Sequence, residues 1–317
     1  MNNAFFFFEV LLMNTLTDFA LKEKYEKVQQ LRSRLDEMKK LIDWNKFLAL
    51  FPTKETTVGR PAYEIILKLK CLFLQSWFGV SDQELEYQLY NRLDFQQFLD
   101  FPESIPDYST IWRFREELTE SDIIEKIWEE QKRQLSQHNI AVKEGKIQDA
   151  SFIEADPGKK NSGMEGRGRE AKTSRSKDGS WTKKNGRSYF GFKAHTLMQK
   201  GSKLIEEIGV TTAKTHDNKI DLAGENDIVY RDRGYSGSKT KAKGDATMKK
   251  GNLTIKEKLR NKRIAKKRAE GEHPYGTIDR SFQGGKTKLT TIARVFVQQV
   301  FVGMAYNIHR LRFLVNG

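Results

Sequence analysis

The chain reads as an α/β domain preceded by an all-helical region, and three observations predict this. Residues 60–120 carry apolar positions at helical spacing with capping signals between them. Residues 145–235 carry short runs rich in β-branched and aromatic residues: IQDASFIEA, SYFGFKAHTLM, KLIEEIGVTTA and DIVYRD. The C-terminal TTIARVFVQQVFVGMAYNIHRLRFLV returns to an apolar helix whose basic residues gather at its end, as the helix dipole favours.

Within the helical region, Leu21, Tyr25, Val28, Leu31, Leu35 and Met38 give Thr17–Leu41 an amphipathic helix. About three heptads fit a helix packed on its own domain better than a coiled-coil arm. An apolar helix is expected from Tyr63 to Phe78, and a second after Ser81, where SDQE forms a capping box with Glu84. A third element covers Phe95–Phe101. Pro106 then breaks the chain and Asp107 or Ser109 caps a helix that presents Arg113 and Arg115, an arrangement equally compatible with helix-turn-helix recognition of DNA and with arginines solvated or salt-bridged at a domain seam. Residues 1–12, MNNAFFFFEVLL, have no basic residue before the apolar run and are expected to be a dispensable extension ahead of Met13. The resulting organisation is an extension 1–12, a helical region 13–137 suited to DNA binding or dimerisation, and an α/β domain 138–317. That last domain holds two basic loops, 157–188 and 239–268. The second has thirteen Lys/Arg against two acids, and its TIKEKLRNKRIAKKRAE can be helical.

Charge narrows the partner. A net charge of +14, from 56 Lys+Arg against 42 Asp+Glu, favours a polyanion, DNA or RNA. Cys71 is the single cysteine, which excludes a disulfide framework and a cysteine-built zinc site. No apolar run reaches the roughly 18 residues of a membrane span, so no membrane partner is expected.

Against this basic background three acids stand in distinctive settings: Asp149 in KIQDASFIEA, Asp232 in IVYRDRGY and Glu272 in GEHPYG, 83 and 40 residues apart. Phosphoryl transfer between nucleic-acid strands needs an activated attacking oxygen and a stabilised leaving oxygen. Carboxylates that hold two Mg²⁺ ions supply both. Spacing alone does not single out this triple among 42 acids.

The motifs do. The sequence resembles the DDE-type transposases of bacterial insertion sequences, nearest the group numbered family five, over most of residues 42–312. GRPAYEIILKLKCLFLQSWFGVSDQELEYQLYNRLDFQQFLDF is similar to that family's N-terminal helical region, and IPDYSTIWRFR to its PD-x-[ST]-T-x-x-[RK]FR element. DASFIEA resembles the first catalytic strand, YFGFKAHTLM the GYK-x-H strand, TAKTHDNK the T-A-x-x-HD turn and VYRDRGYSG the second catalytic strand. GEHPYGTIDRSFQGG and MAYNIHRL match the third region.

The resemblance implies an RNase H-like mixed sheet flanked by helices. It also implies that Asp149, Asp232 and Glu272 are catalytic and metal-binding, with two Mg²⁺ as cofactor and Mn²⁺ an acceptable substitute. Expected DNA contacts are Arg113, Arg115, Lys193, His216, Arg233, Arg268, Arg280 and Lys286. The partners implied are double-stranded DNA, as terminal inverted repeats and as target, and further copies of the chain in a homodimer or higher oligomer on DNA. The expected location is the cytoplasm, at the bacterial nucleoid. In the family's third region, Arg268 and Glu272 keep their places, but Ala265 stands where Tyr is usual and Asp279 where Lys is usual; Arg280 is the neighbouring cation that can replace it. A nuclease that cuts without joining, and an inactive remnant that only binds DNA, are the competing readings.

Histidines inside these motifs are poor Mg²⁺ ligands. His195 is expected to be a strand histidine bonded to a neighbouring backbone, and Asp217 to cap the helix that follows the His216–Asp217 turn. GGKT at 284–287 lacks the earlier glycine and leading strand of a phosphate loop, and Gly163, Gly166 and Gly168 lack strand–turn–helix context. Trp44, Trp77, Trp112 and Trp128 belong to helices, whereas Trp181, in the first basic loop, is available to stack on an unpaired base.

Overall fold

In a computed structural model, the chain is described over residues 34–52, 62–138, 144–158, 178–184 and 186–315, together with 23–24, 26–27 and 140. The proposed extension 1–12, most of the helix expected at 17–41, and residues 159–177 of the first basic loop lie outside the described residues.

The helical region comprises α1 (Arg34–Leu41), a 3₁₀ turn (Trp44–Leu50), α2 (Ile65–Phe78), α3 (Asp82–Asn91), α4 (Leu93–Phe98), α5 (Tyr108–Thr119) and α6 (Ile123–Ser136). Its N-caps stand where the sequence signals them, although only the Ser81 half of the expected capping box forms and Glu84 accepts from Gln88 instead. Ser81 accepts from the Glu84 amide at 3.2 Å, and Asp107 from the Thr110 amide at 2.7 Å. Leu35 and Met38 are buried in the core, so the described end of the first helix packs on its own domain. The element expected over 95–101 is instead a helix ending at Phe98, because Asp100 and Phe101 take left-handed backbone with φ of 65° and 51°.

The sheet follows: β1 (Lys146–Ala155), β2 (Ser180–Lys184), β3 (Arg187–Gln199), β4 (Ile205–Thr212), β5 (Ile228–Arg231), β6 (Gly244–Thr247) and, after two helices, β7 (Lys286–Thr287). The long β3 pairs antiparallel with β1 along one edge and with β2 and then β4 along the other. On its far side β1 pairs parallel with β5, which pairs parallel with β6. An antiparallel meander continued by two parallel strands, in the order β4-β3-β1-β5-β6, is the RNase H-like sheet expected. Helix α7 (Ile255–Arg268) runs through a 3₁₀ turn (Ala269–Gly271) into α8 (Glu272–Ser281). These cover one face of the sheet beside β1 and β5.

The closing helix α9 (Ile292–Val315) ties the halves together. Phe301, Met304, Tyr306 and Ile308 join one core with Phe47, Phe73, Phe95 and Phe98 of the helical region and Ile205 of the sheet. A Cβ on Gly303 would stand 2.4 Å from Ile208, so only glycine lets α9 lie this close to β4. Asn307 accepts from the Ile205 amide and donates to its carbonyl, both at 2.8 Å, and Trp128 donates to the Glu206 carbonyl at 2.8 Å. These bonds satisfy buried polar groups across the seam. Among the described residues no helix is long and apolar enough to cross a membrane.

Two expectations are corrected here. The stretch 157–188 is not wholly loop, since its end forms β2, whose Trp181 leans on Phe190 with ring centroids 5.3 Å apart. Nor is 239–268 a loop: it holds β6 and the whole of α7, started by a capping box between Thr254 and Glu257.

Candidate active site

Asp149 lies in the middle of β1, where Lys146 pairs with Val229 and Ile147 with Tyr230 of β5. Continuing that parallel register brings Asp232, the residue after β5, level with Asp149. Side chains alternate along a strand, so Gln148 and Arg231 point to the opposite face. There the fully buried Arg231 donates to Gln148 at 3.0 and 2.7 Å and pairs with Asp221, while Gln148 donates to the Ile220 carbonyl at 2.8 Å. This buried network fixes the register that sets the two aspartates side by side.

Asp149 senses the charge of Asp232. Burial pushes the Asp149 carboxyl above its ordinary range; the charge of Asp232 pushes the same way, and only Arg268 and the Ala150 amide oppose them. Arg268, the last residue of α7, donates from Nη2 to Asp149 Oδ2 at 2.9 Å, with both side chains largely buried. Asp149 Oδ1 accepts from the Ala150 amide at 3.0 Å, and Asp232 Oδ1 from the Gly234 amide at 2.8 Å.

Glu272 opens α8. Gly271 before it packs against β1 so tightly that a Cβ there would sit 2.7 Å from Ile147. Tyr275, three residues later, donates to the Asp149 carbonyl at 2.9 Å and is bonded to Thr196 at 2.6 Å. The helix start is thus anchored beside Asp149, yet the Glu272 side chain is exposed. Among the described residues no three His, Cys, Asp or Glu side chains converge as a metal cluster. The structure brings Asp149 and Asp232 together and leaves Glu272 on the rim.

The expected DNA contacts divide sharply. Arg113, Arg233, Arg280, Lys286 and His216 are exposed. Arg113 and Arg280 bond back to Ser109 and Gly276 of their own helices. Arg115 is buried and paired with Asp82 and Gln75, which makes it a brace between α5, α2 and α3 rather than a surface cation. Lys193 is also buried, donating to the Thr215 carbonyl at 2.8 Å and Asp217 at 2.9 Å. The cap expected of Asp217 is supplied by His216, whose Nδ1 accepts weakly from the Asn218 amide at 3.5 Å. His195 is a strand histidine as expected, but its partner is the Thr211 hydroxyl at 2.9 Å rather than backbone, and its full burial lowers its pKa to about 4.

Two residues have a place at the site that the sequence does not assign them. Asp217 is one: a Cβ built on Gly234 would lie 3.2 Å from its carboxylate and 3.0 Å from that of Asp232, so both acids crowd the same turn. Tyr275 is the other. The only sequence signal for it is helical spacing from Glu272.

Charge is not evenly spread. Residues 1–137 hold 18 Lys/Arg against 23 acids, whereas residues 138–317 hold 38 against 19. Among the described residues α7 presents a basic surface, where Lys256, Lys258, Lys262, Arg263, Lys266 and Lys267 all face solvent.

Paired aspartates on neighbouring strands, in the basic half of the chain, are hard oxygen donors that fit a divalent cation. Two family models match: a Transposase domain (DUF772) over residues 23–117 and a Transposase DDE domain over residues 141–308. No solved structure matches the chain. The second model covers more than half of the protein, with Asp149, Asp232 and Glu272 all inside it, and the chain belongs to the DDE transposases, metal-dependent enzymes of DNA phosphoryl transfer.

Proposed function

We propose that this transposase binds the terminal inverted repeats of an insertion sequence and carries out Mg²⁺-dependent cleavage and strand transfer, with Asp149, Asp232 and Glu272 as its acids. The observation that carries the reading is the level placement of Asp149 and Asp232 on parallel-paired strands, in the half of the chain that holds its excess positive charge. A bound divalent cation supplies charge for the phosphate and lowers the pKa of an attacking oxygen. Asp149 and Asp232 hold it, and Glu272 completes the set from the start of α8.

In the first step water attacks a phosphodiester, the bond to the 3′ oxygen breaks, and a 3′-hydroxyl and a 5′-phosphate result. In the second, that 3′-hydroxyl attacks a target phosphodiester and displaces its 3′ oxygen. The exposed cations of α7, with Arg233, Arg280 and Lys286, hold phosphates and fix register without reading sequence. Two ends must be processed together, so a dimer or larger assembly forms on DNA.

Ala265 and Asp279 favour a second reading, a remnant that binds DNA without cutting it. A Cβ on Gly285 would meet the Asp279 carboxylate at 2.6 Å, so this acid faces backbone where the family places a cation. Incubation with a terminal-repeat duplex and Mg²⁺ or Mn²⁺ separates the readings. Nicks followed by recombinant product support transposition, nicks alone indicate a nuclease, and repeat binding without nicks indicates the remnant. Full activity in Asp149→Asn or Glu272→Gln would exclude the assigned acids.

A further inference from the structure

We infer that Arg268 is a stand-in cation: its guanidinium neutralises Asp149 while the site holds no metal, and must leave before a divalent cation can engage Asp149 and Asp232 together. The inference rests on the proposed role of those two aspartates in holding the ion. Each oxygen of Asp149 already accepts one hydrogen bond, Oδ1 from the Ala150 amide and Oδ2 from Arg268. The ion pair is largely buried, so a metal ion reaching Asp149 from the Asp232 side would face a second cation at close range with little solvent between them.

Two features suit Arg268 to release. It is the last residue of α7, where α-helix gives way to a 3₁₀ turn, so its side chain can swing without breaking a helix interior. Its Nε is buried and has no hydrogen-bond partner, so the contact with Asp149 uses only one corner of a fork built for two acceptors. A DNA phosphate offers both oxygens. One side chain that can serve either Asp149 or a phosphate makes the two binding events cooperative. Metal releases the guanidinium toward DNA, and DNA draws it off Asp149 and opens the place for metal.

The test is a Mn²⁺ titration of the full chain without DNA, reading free Mn²⁺ by electron paramagnetic resonance. Wild type is compared with Arg268→Gln, Arg268→Lys and Asp149→Asn. Removing the stand-in is expected to tighten Mn²⁺ binding roughly tenfold in Arg268→Gln, while Arg268→Lys, which keeps the charge, stays near wild type. Unchanged or weaker Mn²⁺ binding in Arg268→Gln would overturn the inference. If that variant does not fold, Arg268→Met keeps the stem and is read in the same way. Asp149→Asn separates the levels of failure. Abolished binding there with no tightening at position 268 rejects only the stand-in; wild-type binding there shows that the ion sits elsewhere and removes the proposed site as well.

Discussion

The Tyr275 hydroxyl donates to the backbone carbonyl of Asp149 at 2.9 Å, joining the helix that begins with Glu272 to the strand that carries the first aspartate. Thr196, across from Asp149 on β3, is bonded to the same hydroxyl at 2.6 Å. Three elements that bear on the site therefore meet at one buried oxygen. Tyr275→Phe leaves a buried carbonyl and a threonine hydroxyl short of a partner. Urea denaturation should show a loss of about 1–2 kcal/mol. Cleavage of a terminal-repeat duplex should fall by more than that loss explains, because Glu272 is no longer held in register.

Arg115 separates a structural role from a DNA contact. Its guanidinium is buried and paired with Asp82, and although burial pushes the Asp82 carboxyl up, Arg115 more than offsets this and holds it below its ordinary range. Arg115→Ala should cost about 3 kcal/mol in denaturant, since it strands a half-buried carboxylate. DNA affinity per folded molecule should be unchanged in a filter-binding assay. For Asp82 the sign follows from its lowered pKa: the stabilisation is present above the ordinary carboxylate range and fades as pH falls through the lowered value.

His195 predicts a pH slope. Burial lowers its pKa from 6.5 to about 4, so between those values the unfolded chain binds a proton that the folded chain refuses. Stability should therefore rise with pH across this window and flatten above it, by about 3 kcal/mol at most. Comparing denaturation midpoints of wild type and His195→Gln from pH 4 to 7 checks this, with the variant expected to lose much of the slope.

Salt should locate the DNA surface. Changing Lys256, Lys258, Lys262 and Lys266 of α7 to Gln should weaken duplex binding for every sequence alike. The slope of log affinity against log salt should shrink by about 0.9 for each phosphate that is no longer neutralised. Changing the exposed Lys126 and Arg133 of α6 to Gln, in the acid-rich part of the chain, should leave the slope in place.

The Asp217–Lys193 pair predicts a milder effect. Lys193 neutralises the acid that crowds the Gly234 turn beside Asp232. Lys193→Met should leave that acid without its cation, loosen the turn that carries Asp232, and lower cleavage severalfold. Cleavage of a terminal-repeat duplex by the variant, compared with its denaturation midpoint, checks this.

The sequence by itself determined the local elements and the family. Caps at Ser81 and Asp107 are single-residue signals whose hydrogen bonds span only a few positions, and the apolar α9 announces its burial through composition. Asp149, Asp232 and Glu272 can be proposed from sequence because each lies in its own motif. The strand β2 was missed because its polar, basic residues look unable to pack. Its one local signal was the Asn-Gly dipeptide at 185–186, a favoured two-residue hairpin turn. What only the tertiary structure decided is which charges meet. Arg115 and Arg113 stand two apart on one helix, and facing directions alone send one into the core and leave the other on the surface. Arg268 reaches Asp149 across 119 positions and Lys193 reaches Asp217 across 24. An ion pair depends on distance and burial in space, and neither is written in the spacing of residues along the chain.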